Sequence, residues 1–466
     1  MASRKATPKP ELPAGNSPMN STVDQPSERP TLKVTGRYIV IFKQDAVAGP
    51  TEAKDSLRKT LGRVSNLGNL VTSSDFDRKA FSAEVLKSEQ PLYFESLGVA
   101  RVSSDMIDAL SASTAESDSP ILQIESEYVA YPASQPVSPA SLEYLRGYRD
   151  AANHLYEQLS SGEMAFAGDA ANGQPSANFQ DTAQFTWGLQ AIGVSTSRYS
   201  GQGIRLAVLD TGMDLGHPDF VGRRIIAESF SGYPVQDVHG HGTHCVGIAC
   251  GPQRPATGVR RYGVAPGAQI LVGKVFDESA LPEAPTSNVL AGIEWAVASG
   301  CRVISISIEV PGDHKMVQYE VPIQRALNAG ALIVCAAGNN ANRPSDVGYV
   351  AAPANADAAM AVAALDNQLR IANFSGRSSS ITGVGGRINV AAPGVAVFSS
   401  YPRAMGTHRF MNGTSMAAPH VAGIAALLAQ ATGEPGVALW NRIQRGAAAL
   451  NLRLLDVGTG LAQGPQ

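Results

Sequence analysis

Ser415, His241, Asp210 and Asn339 have the residue types and the settings that acyl transfer requires. Ser415 lies in Gly413-Thr414-Ser415-Met416-Ala417-Ala418-Pro419-His420, a glycine-led turn opening onto a small-residue helix read over 415–430. A hydroxyl there stands at the positive end of a helix dipole, among outward-facing N–H groups. Serine alone is a poor nucleophile. It needs a base, an acid that orients the base, and donors for an oxyanion. His241 is the candidate base, set between glycines in His239-Gly240-His241-Gly242-Thr243-His244, where missing side chains let a substrate backbone approach. Asp210 is the candidate acid. It ends the apolar run Ile204-Arg205-Leu206-Ala207-Val208-Leu209 and precedes Thr211-Gly212. That puts it at the carboxyl end of a strand, where α/β sheets carry their sites. Asn339 follows the apolar run 331–336 and the turn Ala337-Gly338; its amide and the Ser415 N–H are the two candidate oxyanion donors. Taken singly, an Asp after a strand or an Asn after a glycine is a turn former.

The elements that must position these residues alternate. Strands are read at 204–209, 269–275, 302–308, 331–336, 359–364 and 388–390, and helices from 241, at 286–299, at 316–329 and at 415–430. Apolar strands alternating with helices imply a parallel sheet covered by helices on both faces. Residues 36–132 read as a separate small α/β unit. Tyr38-Ile39-Val40-Ile41-Phe42 is a strand; Leu57, Leu61, Val64 and Leu67 recur at helical spacing; 81–85 and 98–102 are strand-like. Ser103 or Ser104 caps a short helix, and 121–131 is the last strand. That order, β-α-β-β-α-β, is the ferredoxin-like split motif. Residues 1–35 are proline-rich, without aromatic residues or isoleucine, and read as a disordered tail. Residues 133–184 read as a linker with one helix, carried by Leu142, Leu145, Tyr148, Ala152, Leu155 and Leu159. Its unpatterned remainder is a site for proteolytic nicking, with no single bond indicated. Residues 185–466 form the catalytic part.

Asp210-Thr211-Gly212, His241-Gly242-Thr243-His244 and the block from Gly413 to His420 resemble the three signature blocks of the subtilisin-like serine proteases, in that family's order. Gly263-Val264-Ala265-Pro266, Gly292-Ile293-Glu294-Trp295-Ala296, Ala336-Ala337-Gly338-Asn339 and Ala391-Ala392-Pro393-Gly394 are similar to further subtilase segments, so the resemblance spans residues 187–461. It implies a serine endopeptidase with Asp210, His241 and Ser415 as catalytic triad and Asn339 as oxyanion donor. It also implies synthesis as a zymogen, with residues 36–132 as an inhibitory propeptide, and protein or peptide substrates. His217, His239, His244 and His420 read as structural.

The cleft departs from the family. Ser307-Ile308-Glu309-Val310 stands where relatives carry Ser-Leu-Gly-Gly, and Pro282-Glu283-Ala284 where they carry Gly-Ser-Gly. Glu283, Ser307, Ile308, Glu309 and Ala351 are the expected substrate-binding residues. The two added carboxylates either crowd the groove or favour a basic substrate side chain. A second reading stays open for this reason: a catalytically weak peptide-binding or inhibitor-tethered scaffold. No cofactor is required by these residues. Calcium is the one metal to consider, because Asp219 in His217-Pro218-Asp219 matches a family position that often binds it. The facing segment 251–261 carries Arg254, Arg260 and Arg261 and no Asn or Asp, which opposes a divalent cation. The charge, 37 basic against 40 acidic residues, gives no basic footprint for nucleic acid. No apolar run reaches membrane-spanning length. No signal-peptide core is readable, so a cytoplasmic location, or secretion without a readable signal peptide, is expected. Cys245, Cys250, Cys301 and Cys335 have no CxxC spacing and read as buried free thiols.

Overall fold

The longest apolar runs become the strands of a seven-stranded parallel sheet: β6 (Arg205–Asp210), β7 (Ile225–Ser229), β8 (Gln269–Lys274), β10 (Val303–Ile306), β12 (Leu332–Ala336), β13 (Met360–Leu365) and β14 (Val390–Pro393). Their order is β14-β13-β12-β10-β6-β8-β7. β10, β12 and β13 are buried along their whole length, as strands covered on both faces must be. The computed structural model describes residues 31–43, 70–77, 80–114, 119–133, 178–380 and 386–466. The expected helix around 57–67, nearly all of the tail 1–35 and most of the linker 133–184 lie outside the described residues.

Five earlier strands form a second sheet: β1 (Val34–Phe42), β2 (Val71–Thr72), β3 (Leu92–Phe94), β4 (Val99–Val102) and β5 (Ile121–Pro132). β1 pairs antiparallel with β4 and β5, and β3 with β4. The expected strand at 81–85 is instead a short helix, α1 (Ala83–Lys87). Ser82 accepts the N–H of Val85 there and caps it, so Phe81 and Val85 are core-facing without being extended; the strand comes later, at β3. Helix α2 (Ile107–Thr114) follows a 3-10 turn begun by Ser103.

The second sheet continues into residues 185–466. The last residues of β5 lie between two short strands, β9 (Ala284–Pro285) and β11 (Ile308–Glu309), pairing antiparallel with both. Helix α3 (Trp187–Ala191) precedes the parallel sheet in the chain. Helices α4 (His241–Cys250), α5 (Thr286–Ala298), α6 (Val317–Asn328), α7 (Thr414–Thr432) and α8 (Gly436–Gly446) follow. α7 packs on β10, β12, β13 and β14 and against α4. Every residue from Thr414 to Ala429 is buried; a helix can run through the core this way because alanine, glycine and serine keep its radius small. All four cysteines are free and buried. Among the described residues, no helix is long and apolar enough to cross a membrane.

Candidate active site

Asp210 is the last residue of β6 and His241 the first of α4. Two glycines allow the close fit between them. A Cβ on Gly242 would lie 2.2 Å from the Gly212 carbonyl oxygen, and Gly212 itself has φ +102°. The strand-end turn and the helix start therefore touch backbone to backbone. His241 Nδ1 donates to Asp210 Oδ1 at 2.6 Å, and the Thr211 N–H donates to the same oxygen at 2.7 Å. Asp210 is fully buried. An Nδ1–H held this way leaves Nε2 as the basic nitrogen, and Nε2 has no hydrogen-bond partner among the described residues.

Asp237, which sequence reasoning missed, braces this corner. Its Oδ1 accepts from Thr211 Oγ1 (3.0 Å), His239 N (3.0 Å) and Gly240 N (2.8 Å), and its Oδ2 from Thr243 N (2.9 Å) and Thr243 Oγ1 (2.7 Å). One carboxylate thus ties the turn after Asp210 to the first turn of α4. Burial raises its pKa, against the pull of these donors. Its place four residues before His241 in a glycine-rich segment was the available signal.

Ser415 is the second residue of α7. Asn339 is turned toward it by Thr414: the Asn339 Oδ1 accepts from Thr414 N (2.9 Å) and Thr414 Oγ1 (3.0 Å), so the Nδ2 points the other way. What it points at is Ala133. The Ala133 carbonyl oxygen accepts from Asn339 Nδ2, from the Ser415 N–H at 3.3 Å and from the Ser415 hydroxyl. A single peptide carbonyl is held by the three groups the sequence singles out. Ala133 N donates to Ser307 O at 3.1 Å, and the register continues as Pro132 opposite Ile308 and Tyr131 opposite Glu309. On the other side Ala130 faces Ala284 and Val129 faces Pro285. Chain 129–133 thus lies as an extended segment between the two edges on which Glu283, Ser307, Ile308 and Glu309 are carried. Glu283 pairs with Lys33 at 2.6 Å. Glu309 Oε2 accepts the Asn339 N–H at 2.8 Å. Ala351 N donates to Ala337 O at 3.0 Å and borders the Asn339 turn.

Cys245 lies behind the site. Its Sγ is 3.9 Å from His241 Nδ1 and 3.4 Å from Ser415 O, and burial pushes its thiol pKa well up.

This catalytic framework has known relatives. The family model described as the subtilase family matches residues 201–447. The chain belongs to the subtilases. It is 36% identical to Subtilisin DY of Bacillus licheniformis over 246 residues, which cover 52% of this chain and 81% of that protein. It is 37% identical to Thermitase of Thermoactinomyces vulgaris over 231 residues, covering 49% and 76%. Its fold is similar to the crystal structure of fervidolysin from Fervidobacterium pennivorans, with a TM-score of 0.61 at 23% identity over 92% of this chain and 60% of that one. This subtilase is a serine endopeptidase acting on protein or peptide substrates.

Asp219, the position tied to calcium, does not fit that ion here. Its Oδ1 accepts from Thr257 N and Thr257 Oγ1, both at 2.9 Å, and its Oδ2 from Tyr262 OH (2.8 Å) and His408 Nε2 (2.9 Å). Both oxygens face hydrogen-bond donors, which a cation cannot replace without displacing them. Those donors carry the carboxyl well below its ordinary range against burial, which opposes them.

Proposed function

We propose that Asp210, His241, Ser415 and Asn339 carry out peptide hydrolysis in this subtilase, and that the chain is a zymogen whose first cleaved bond joins Ala133 to Ser134. The observation that carries this reading is the Ala133 carbonyl, held by the amide of Asn339 and by the N–H and hydroxyl of Ser415. The Ser415 oxygen attacks the Ala133 carbonyl carbon while its proton passes to His241 Nε2. Negative charge collects on the carbonyl oxygen, where two N–H donors are already aimed. Asp210 holds the imidazolium. The bond to the Ser134 nitrogen then breaks as His241 returns the proton to that nitrogen. Water, deprotonated by His241, attacks the acyl-enzyme and frees the Ala133 carboxylate and the Ser415 hydroxyl. Other substrates take the path of residues 129–133 between β9 and β11, as an added strand.

Residues 36–132 act in this reading as the inhibitory propeptide. The contacts that support it are carboxylates of β5 on helix N-termini. Glu125 accepts from Val317 N and Gln318 N at the start of α6, each at 3.0 Å. Glu127 accepts from Ser287 N at the start of α5 at 2.9 Å, and pairs with Arg37 at 2.7 Å. Each cap satisfies N–H groups that the helix leaves open and complements its dipole.

Purified wild-type chain and Ser415→Ala test the proposal by intact mass with time. The wild type should be cut to an N-terminal fragment ending at Ala133 and, after a lag, react with a fluorophosphonate; Ser415→Ala should do neither. A fragment ending elsewhere, or cleavage by Ser415→Ala, would remove the assignment.

A further inference from the structure

Glu309 lies on the short strand that pairs with the end of β5. In the ladder between β5 and β11, Tyr131 faces Glu309 and Pro132 faces Ile308. Ala133 is bonded to Ser307 O. Facing residues of an antiparallel pair project to the same side, and so do alternate residues along each strand. Ala133, Tyr131, Ser307 and Glu309 therefore share one side, with Glu309 diagonal to Ala133. The Glu309 side chain turns toward the Asn339 turn, where its Oε2 accepts the Asn339 N–H at 2.8 Å. Asn339 is the same residue whose side-chain amide holds the Ala133 carbonyl. The space around Gly338 is full: a methyl added there would come within 3.0 Å of Glu309 Oε2 and 3.2 Å of the Ala351 Cβ. Ala133 itself is fully buried, and Ala351 is 1% exposed.

We infer that Glu309 is a specificity-determining residue that plugs the pocket beside the cut and confines the residue on its acyl side to alanine, glycine or serine. The inference rests on the reading that Ala133 occupies the position of the residue cut. A larger side chain must push the carboxylate off the Asn339 N–H, leaving that donor without its acceptor next to the oxyanion amide. The same bond argues against the carboxylate as a lure for lysine or arginine. A basic side chain would need both the volume that Glu309 fills and a carboxylate oxygen already committed to backbone.

The test uses Ala-Ala-Pro-X p-nitroanilides with X as Ala, Phe or Lys. Wild type, Glu309→Gly and Glu309→Gln are each titrated with a fluorophosphonate, so that only competent enzyme is counted. Wild type should favour Ala over Phe and Lys in kcat/KM by at least the about 10–200-fold that a single misfit methylene commands. Glu309→Gly should raise Phe relative to Ala by a similar factor. Glu309→Gln, which keeps the volume and an acceptor oxygen, should keep the preference for Ala. Wild type that turns over Phe or Lys as well as Ala overturns the inference, as does an unchanged profile in Glu309→Gly. A lysine preference lost in Glu309→Gln would overturn it in favour of charge selection. If Glu309→Gly yields no titratable enzyme, the wild-type and Glu309→Gln profiles still decide. The mass of the released N-terminal fragment tests separately whether Ala133 is the residue cut, so the two readings fail independently.

Discussion

Two buried neutral histidines should make this protein lose stability as pH falls below about 6.5. His420 is 1% exposed on α7, with Nδ1 donating to Met416 O at 2.8 Å, and burial takes its pKa down to about 4. His244 is fully buried on α4, with Nε2 between Val397 O (3.1 Å) and Arg409 O (3.0 Å), and burial takes it to about 3. An unfolded histidine binds its proton below about pH 6.5, while these two stay neutral in the fold. The stability they support is therefore full above pH 6.5 and is lost as pH falls toward their folded values. At pH 5 the pair should have removed about 4 kcal/mol relative to pH 8. His217 and His239, also lowered by burial, act in the same direction. Asp237 and Glu320, raised by burial, act in the opposite one. A difference measurement isolates one histidine. Urea unfolding of Ser415→Ala, which cannot digest itself, is compared with Ser415→Ala/His420→Asn between pH 6 and 4.5. The asparagine variant should be less steep by one proton, about 1.4 kcal/mol per pH unit. Parallel curves for the two proteins would refute the reasoning, because they would mean that His420 titrates alike in both states.

Asn339→Ala should retain fluorophosphonate labelling but slow peptide turnover about 10²–10³-fold, the loss typical of one oxyanion donor in this family, read as kcat on a peptide anilide. Cys245→Ala should stay active and gain resistance to a bulky mercurial, since the thiol touches His241 and Ser415 from behind and burial raises its pKa. Glu125→Ala should hasten the appearance of activity after cleavage at Ala133, because a helix cap of this kind contributes about 0.5–2 kcal/mol; a time course of activity against fragment mass checks it.

The three residues proposed as the triad stood out because each sits inside a short local pattern. Asp210 closes an apolar run, His241 opens a helix between glycines, and Ser415 opens a helix of small residues. Six of the seven parallel strands were legible for the same reason, to within three residues at their ends; β7 (Ile225–Ser229) was not, because it is a short run ending in Glu228 and Ser229 with every residue only half-buried. The α1 segment misled because Phe81 and Val85 look alike in a strand and on a helix, and only the Ser82 cap distinguishes them. Contacts across long separations left no local trace. Ala133 and Ser415 are 282 positions apart, and His408 reaches Asp219 across 189. The arginines of 251–261 hinted that calcium is disfavoured, but not that Thr257, Tyr262 and His408 fill the carboxylate instead.

The N-terminal unit is bound to the catalytic part by more than the segment lying in the site. Arg325 of α6 donates to Leu97 O at 2.5 Å and Phe42 O at 2.8 Å; Glu294 of α5 accepts from Ser73 Oγ at 2.8 Å and Ser96 N at 2.9 Å. None of these contacts, nor the caps made by Glu125 and Glu127, involves the bond after Ala133. Hydrolysis there changes one carbonyl into a carboxylate and leaves the rest of β5 between β9 and β11. The proposed first cut therefore prepares the enzyme without freeing its cleft. What frees it must break β5 itself or the contacts that hold α5 and α6. On this geometry activity should lag behind cleavage, with the lag set by the strength of those caps and not by the chemistry at Ser415.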